Sequence, residues 1–288
     1  MIARRVKLLL AVAIIAAATF GYFSRVAIRD AWEEWRAPKL PTATAFVPEK
    51  ETANEVVPSA PSPVEGGLSA SEHYALETNP TAKKAAGDPL AFTGKLPAEV
   101  NLDVPFTTQA PNSNWDMPYQ EACEEASAIM VDGYYRGEHG KIPVDRADKA
   151  ILDLVAFEKK NYGFYEDTTA EQPANFIKEA YGYTRVIVKP LTSVEEIKKP
   201  LALGYPVIIP FAGKMLGNPN YKNGGPPYHM LVIRGYTGEK FITNDPGTRK
   251  GEGYLYDPLT IMNAAHDWTG SKDTVSSGKA YMIVVLPN

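Results

Sequence analysis

The chain has 288 residues, and its 44% hydrophobic, 10% aromatic and 22% charged residues are the proportions of an ordinary globular protein. Thirty basic residues against 34 acidic ones leave no positive field, so composition gives no support to a nucleic-acid partner. The single cysteine excludes an internal disulfide, and beside four scattered histidines it lacks the paired spacing of a structural zinc site; neither metal nor cofactor is expected.

Arg4, Arg5 and Lys7 precede an uncharged run from Leu8 to Phe23 that closes on Phe20, Tyr22 and Phe23. Basic flank, apolar core and aromatic end predict an uncleaved signal anchor within residues 1–36. The N-terminus then lies in the cytoplasm, and the protein is single-pass in the cell membrane with its C-terminal part outside. Ala16, Ala17 and Ala18 offer the alternative of cleavage and secretion. From residue 37 to residue 100 the chain is rich in Pro, Ala, Ser and Thr, with Phe46, Tyr74 and Phe92 as its aromatics, which predicts a disordered or extended linker.

Residues 101–288 read as the folded domain. A helix is predicted from Cys123, with Ala126, Ile129, Met130, Gly133 and Tyr134 on one face and Gly137 and Gly140 ending it. Helical patterns follow over Ala150–Lys160 and Ala174–Tyr181, the second introduced by a capping-box pair, Thr168 and Glu171. Ser193 and Glu196 repeat that pair before a short helix ending near Gly204. The period then changes. Val186–Lys189, Pro206–Pro210, His229–Tyr236, Lys240–Asn244 and Ala280–Leu286 are short β-branched runs, with Tyr236 to Glu239 as a tight hairpin turn. Helices followed by an antiparallel sheet define an α+β domain.

A thiol becomes a nucleophile beside an imidazole, at a helix N-terminus, with a third group orienting the imidazole. Cys123 opens a helix, where free amides and the macrodipole favour the thiolate. His229 opens a strand after the Gly- and Pro-rich loop Gly224–Pro227, and Asp245 ends the next strand, close to opposite His229 in the hairpin register. Each has a bland alternative: a small buried hydrophobe, a half-buried strand histidine and a turn residue in Asn-Asp-Pro-Gly. Asn244 is a second candidate orienter. His73, His139 and His266 lack a comparable setting. The long stretch Phe211–Pro227 before the histidine reads as a lid, a substrate wall or a plain surface loop.

The ordered segments Val104-Pro-Phe-Thr-Thr-Gln-Ala-Pro, Trp115-Asp-Met-Pro-Tyr-Gln-Glu-Ala-Cys-Glu-Glu-Ala-Ser, Tyr228-His-Met-Leu-Val-Ile-Arg-Gly-Tyr and Thr243-Asn-Asp-Pro-Gly-Thr resemble the C39-like branch of the papain-fold cysteine peptidases, over about 102–286. The resemblance implies a papain-like fold and a peptide or protein substrate. It implies Cys123 as nucleophile, His229 as base, Asp245 as orienter and Gln109 as the oxyanion-hole side chain, with Gln120 as an alternative to Gln109. The leader peptidases of bacteriocin exporters usually carry Gly after the nucleophile and sit on a transporter; here Glu124 and Glu125 follow Cys123 and no transporter is present, so leader cleavage is not carried over. Two carboxylates beside a thiol oppose the thiolate. The competing function is therefore an inactive papain-fold module that binds a peptide or cell-envelope ligand, and acyl transfer to an amine would use the same residues.

Overall fold

The computed structural model describes residues 39–48 and 87–288, together with Arg25 and Ile28. The expected anchor over Leu8–Phe23 lies outside the described residues, among which no helix is long and apolar enough to cross a membrane. The described residues from Pro41 to Asn288 form one compact unit.

In chain order the domain contains β1 (Val100–Asn101), α1 (Cys123–Tyr135), α2 (Val144–Asn161), α3 (Glu171–Tyr181), β2 (Arg185–Pro190), α4 (Val194–Ala202), β3 (Val207–Ala212), β4 (Tyr228–Tyr236), β5 (Phe241–Asn244), β6 (Glu252–Tyr256), α5 (Pro258–Ala264) and β7 (Tyr281–Leu286). The strands make one seven-stranded antiparallel sheet in the order β2-β7-β3-β4-β5-β6, with β1 paired to β4. Every residue of β3 and β4 is buried, as expected of central strands covered on both faces. Helices first and antiparallel sheet second is the α+β arrangement read from the sequence.

Helix α1 crosses β4, and the Ser127 hydroxyl lies 3.5 Å from the Met230 carbonyl. Twelve of the thirteen residues of α1 are buried, because α2 and α3 cover it from the side away from the sheet. Gly235 lets β1 approach β4: a Cβ there would stand 2.1 Å from the Val100 carbonyl oxygen. Part of the Pro- and Ala-rich stretch also packs on this domain. Thr44 bridges Leu102 beside β1, and the Phe46 ring packs 5.7 Å from that of Tyr134 and 5.0 Å from that of Tyr135.

Several element boundaries differ from the sequence reading. Helix α2 begins at Val144, six residues before the expected start, because its buried stripe of Ala147, Ile151, Leu154, Val155 and Glu158 begins with a weak hydrophobe and ends with a carboxylate. The capping pair before α3 is shifted by one residue: Gln172 accepts from the Thr169 backbone N–H and hydroxyl, at 2.7 and 3.0 Å, while Thr168 is buried and turned elsewhere. Likewise Glu196 accepts from Thr192, not Ser193. Strand β6 and helix α5 were not expected, although Asp257-Pro258 is an ordinary helix start with Pro at its first position.

Candidate active site

Cys123 is the first residue of α1, following a 3-10 turn over Tyr119–Glu121, and only 5% of its surface is exposed. Its thiol donates to Oε2 of Glu124 at 2.8 Å. The other oxygen of that carboxylate, Oε1, accepts from the Thr168 backbone N–H at 3.2 Å and its hydroxyl at 3.1 Å. Burial pushes the Cys123 thiol well above its ordinary value; the charge and hydrogen bond of Glu124 and the charge of Glu125 push it further, and only a backbone hydrogen bond from Met230 opposes them. The helix start was expected to favour the thiolate, but two buried carboxylates and the loss of water outweigh the partial charge of a helix N-terminus.

One residue before Met230, His229 is buried on β4 and its Nε2 lies 2.8 Å from Oδ1 of Asp245. Burial alone would raise the Asp245 carboxyl. The charge and hydrogen bond of His229, with hydrogen bonds from Tyr221 and Tyr256, prevail and hold it below its ordinary value. Oδ2 accepts from the hydroxyls of Tyr221 at 2.6 Å and Tyr256 at 2.7 Å and from Nδ2 of Asn218 at 3.2 Å, and Oδ1 also accepts the Gly247 N–H at 3.0 Å. An ionised acceptor surrounded by donors requires the proton of His229 to sit on Nε2. That leaves Nδ1, buried and without a hydrogen-bond partner, as the basic nitrogen.

The imidazole is held as well as polarised. Tyr221 packs edge-on against it, with ring centroids 5.6 Å apart and planes at 81°. A Cβ on Gly247 would come within 2.9 Å of its Cε1, and one on Gly213 within 3.0 Å of its Cβ. The stretch read as lid, wall or loop therefore has a definite job: its Asn218 and Tyr221 reach back to the carboxylate.

The structure thus brings His229 and Asp245 together. The hairpin register does so less directly than expected, since Asn244 pairs with Val232 and a bulge lies between Ile233 and Gly235. The side chains close the remaining offset. Asn244 is no orienter: its Nδ2 donates to the carbonyls of Val104 and Pro105, at 2.9 and 3.2 Å. The sulfur of Cys123 meets Glu124 and the backbone of Met230, one residue from the imidazole. Gln109 is buried; its Nε2 donates to the Tyr119 carbonyl at 2.9 Å, its backbone N–H donates to the Pro246 carbonyl at 3.0 Å, and its Oε1 is unpartnered. Gln109 therefore spans from the turn before Cys123 to the residue after Asp245, whereas Gln120 is exposed. His139 pairs with Asp103 and His266 with the Gly278 carbonyl, each at 2.7 Å, and His73 lies outside the described residues.

Tyr221, Tyr256 and Asn218 were not identified from sequence, and Thr168 was read only as a helix cap. Only the loop length hinted at the first and third. Among the described residues no group of His, Cys, Asp and Glu could hold a metal ion.

A helix-initial cysteine packed on the strand that carries a carboxylate-bound histidine is the architecture of a papain-like cysteine peptidase. The family model for the Peptidase C39-like family matches residues 101–276, and the chain belongs to that family. Among solved structures, it is similar to a Bacillus anthracis protein described as a C39-like peptidase, at 18% identity and a TM-score of 0.43 over 66% of this chain and 98% of the other. It is also similar to xylellain, a cysteine protease from Xylella fastidiosa, at 14% identity and a TM-score of 0.28 over 67% and 88%. No curated protein matches the sequence.

Proposed function

We propose that the protein is an exported, membrane-tethered thiol hydrolase that cleaves peptide or related amide bonds with Cys123, His229 and Asp245. The observation that carries this reading is the His229–Asp245 pair. It fixes the imidazole with Nδ1 unpartnered, one residue from the backbone amide that meets the Cys123 sulfur.

In the proposed cycle Nδ1 of His229 takes the Cys123 proton as the sulfur attacks the amide carbonyl. The imidazolium is stabilised by Asp245 and returns the proton to the leaving amine. Water then attacks the thioester, with His229 again as base. The side-chain amide of Gln109, released from the Tyr119 carbonyl, and the Cys123 backbone N–H stabilise the oxyanion. The peptide substrate is supported by the family, the residues by the His229–Asp245 contact and the helix-initial Cys123, and the anchor by the basic and apolar N-terminal segment.

The test is hydrolysis of a fluorogenic peptide library by the exported domain and its Cys123→Ala and His229→Ala variants. Both substitutions are expected to abolish cleavage, and undiminished cleavage by Cys123→Ala would refute the mechanism. A binding module that has lost catalysis is the second reading, and the raised, carboxylate-paired thiol favours it. It requires that no peptide be hydrolysed while a peptide ligand is still bound.

A further inference from the structure

The hydrogen bond between Cys123 and Glu124 is not used by that cycle and runs against it. The sulfur must lose a proton to react, yet its contact at 2.8 Å is a carboxylate oxygen that the ionised form of Glu124 supplies as an acceptor. Glu124 is no loose surface group. It is 1% exposed, and Thr168 fixes its second oxygen with two donors, a residue that the Tyr228 hydroxyl in turn holds by donating to its carbonyl at 2.6 Å.

We propose that Glu124 is a proton lock on the nucleophile: ionised, it keeps Cys123 as a thiol, and when it is neutralised the thiolate–imidazolium pair with His229 can form. This rests on Cys123 being the nucleophile of the proposed hydrolase. The proton count is explicit. In the locked state the sulfur carries its proton, His229 is neutral and Glu124 is ionised. Adding one proton to Glu124 turns it from acceptor to donor. The sulfur's own proton then moves to Nδ1 of His229, leaving the thiolate between the Glu124 hydroxyl and the imidazolium.

Glu124 sits among several carboxyl groups, and it is burial that favours its neutral form. Glu125 follows it on α1, and Glu158 faces it from α2. Glu166 and Asp167 lie on the segment leading to Thr168, and Asp267 approaches from the loop before β7 through Tyr228. The nearby cation, Lys272, is occupied by Glu121 at 2.9 Å and Asp167 at 3.1 Å. Burial pushes the Glu124 carboxyl up, against the lowering pull of Cys123 and Thr168. The lock therefore opens as the pH falls.

The decisive variant is Glu124→Gln, which keeps the shape and the oxygen that accepts from Thr168 but is neutral at every pH. Alkylation of the single cysteine by iodoacetamide between pH 5 and 9, followed by intact mass, reads the thiol without reference to any substrate. Glu124→Gln is expected to alkylate at least tenfold faster than the parent at pH 7, one unit of thiol titration, with the midpoint moved to lower pH. Thr168→Val, which removes one of the two Thr168 donors, is expected to leave the ionised carboxylate less stable and move the midpoint the same way by less. An alkylation rate of Glu124→Gln equal to or below the parent across that range, in protein shown by circular dichroism to be folded, would overturn the proposal. Because alkylation and peptide cleavage are measured separately, a faster thiol with no hydrolysis by either protein would leave the lock standing and refute the hydrolase.

Discussion

Glu158 offers the sharpest quantitative test of the electrostatics behind this site. It lies on the buried face of α2, 1% exposed, with Oε1 unpartnered, and both carboxylate oxygens of the neighbouring Glu125 are unpartnered as well. Burial, followed by the charges of Glu124 and Glu166, raises the Glu158 carboxyl from an ordinary 4.5 to about 9. It is therefore neutral in the folded protein at pH 7 and ionised in the unfolded chain. A group raised on folding contributes stability that is complete below its unfolded value and lost as pH rises through its folded value. At pH 7, roughly 2.5 units above the unfolded value, the loss is about 3 kcal/mol, since each unit is worth ~1.4 kcal/mol. Glu158→Gln is neutral in both states and escapes it. The variant is expected to melt about 6–12 °C above the parent at pH 7, at ~2–4 °C per kcal/mol for a domain of this size, and to match it near pH 4. Differential scanning calorimetry from pH 4 to pH 8.5 measures this. A variant less stable than the parent at pH 7, or a gap that does not widen with pH, would refute the reasoning.

Three further outcomes follow from the cluster around Asp245. Replacing Tyr221 and Tyr256 together by Phe removes two donors to the carboxylate and lets it rise; the acid limb of any pH–rate profile is expected to move to higher pH. Because the Asp245 carboxyl is held below its ordinary 3.8, its stabilisation is present above that value and lost as pH falls through the folded one. The stability deficit of this double variant is therefore expected to be largest at neutral pH, and an equal deficit at pH 3 and pH 7 would contradict the account. Gly247→Ala places a methyl 2.9 Å from Cε1 of His229 and 3.0 Å from the Tyr221 ring, and is expected to cost about 1–3 kcal/mol in chemical denaturation and at least tenfold in cleavage rate. Gln109→Ala is expected to lower kcat by roughly 100- to 1,000-fold with little change in KM, as for the loss of one oxyanion donor, and a change confined to KM would assign Gln109 to substrate binding instead.

The parts of the site that sequence revealed are those that local order controls. His229 and Asp245 flank one hairpin, so their meeting follows from chain direction and a short turn, even though the bulge after Ile233 shifts the register. Cys123 at the start of α1 was equally legible from the apolar spacing that follows it. What stayed hidden depends on partners far along the chain. Thr168 meets Glu124 across 44 residues, and Tyr256 meets Asp245 only because β6, an unpredicted strand, pairs with β5. Thr168, three residues before Glu171, read as a helix cap because caps and carboxylate donors use the same hydroxyl. The packed α1 decided between them, by offering a buried carboxylate that needed donors. Nor could sequence weigh a helix N-terminus against desolvation at Cys123, since that depends on how deeply α2 and α3 bury the thiol.

The central claim, that Cys123 attacks a carbonyl, is tested most directly by trapping the acyl-enzyme. An activated peptide ester is mixed with the protein, quenched in acid and mapped by mass spectrometry. One acyl group is expected on Cys123, accumulating more slowly in His229→Ala and absent from Cys123→Ala. Hydrolysis of the ester with no adduct on that sulfur, or with equal rates in all three proteins, would contradict it.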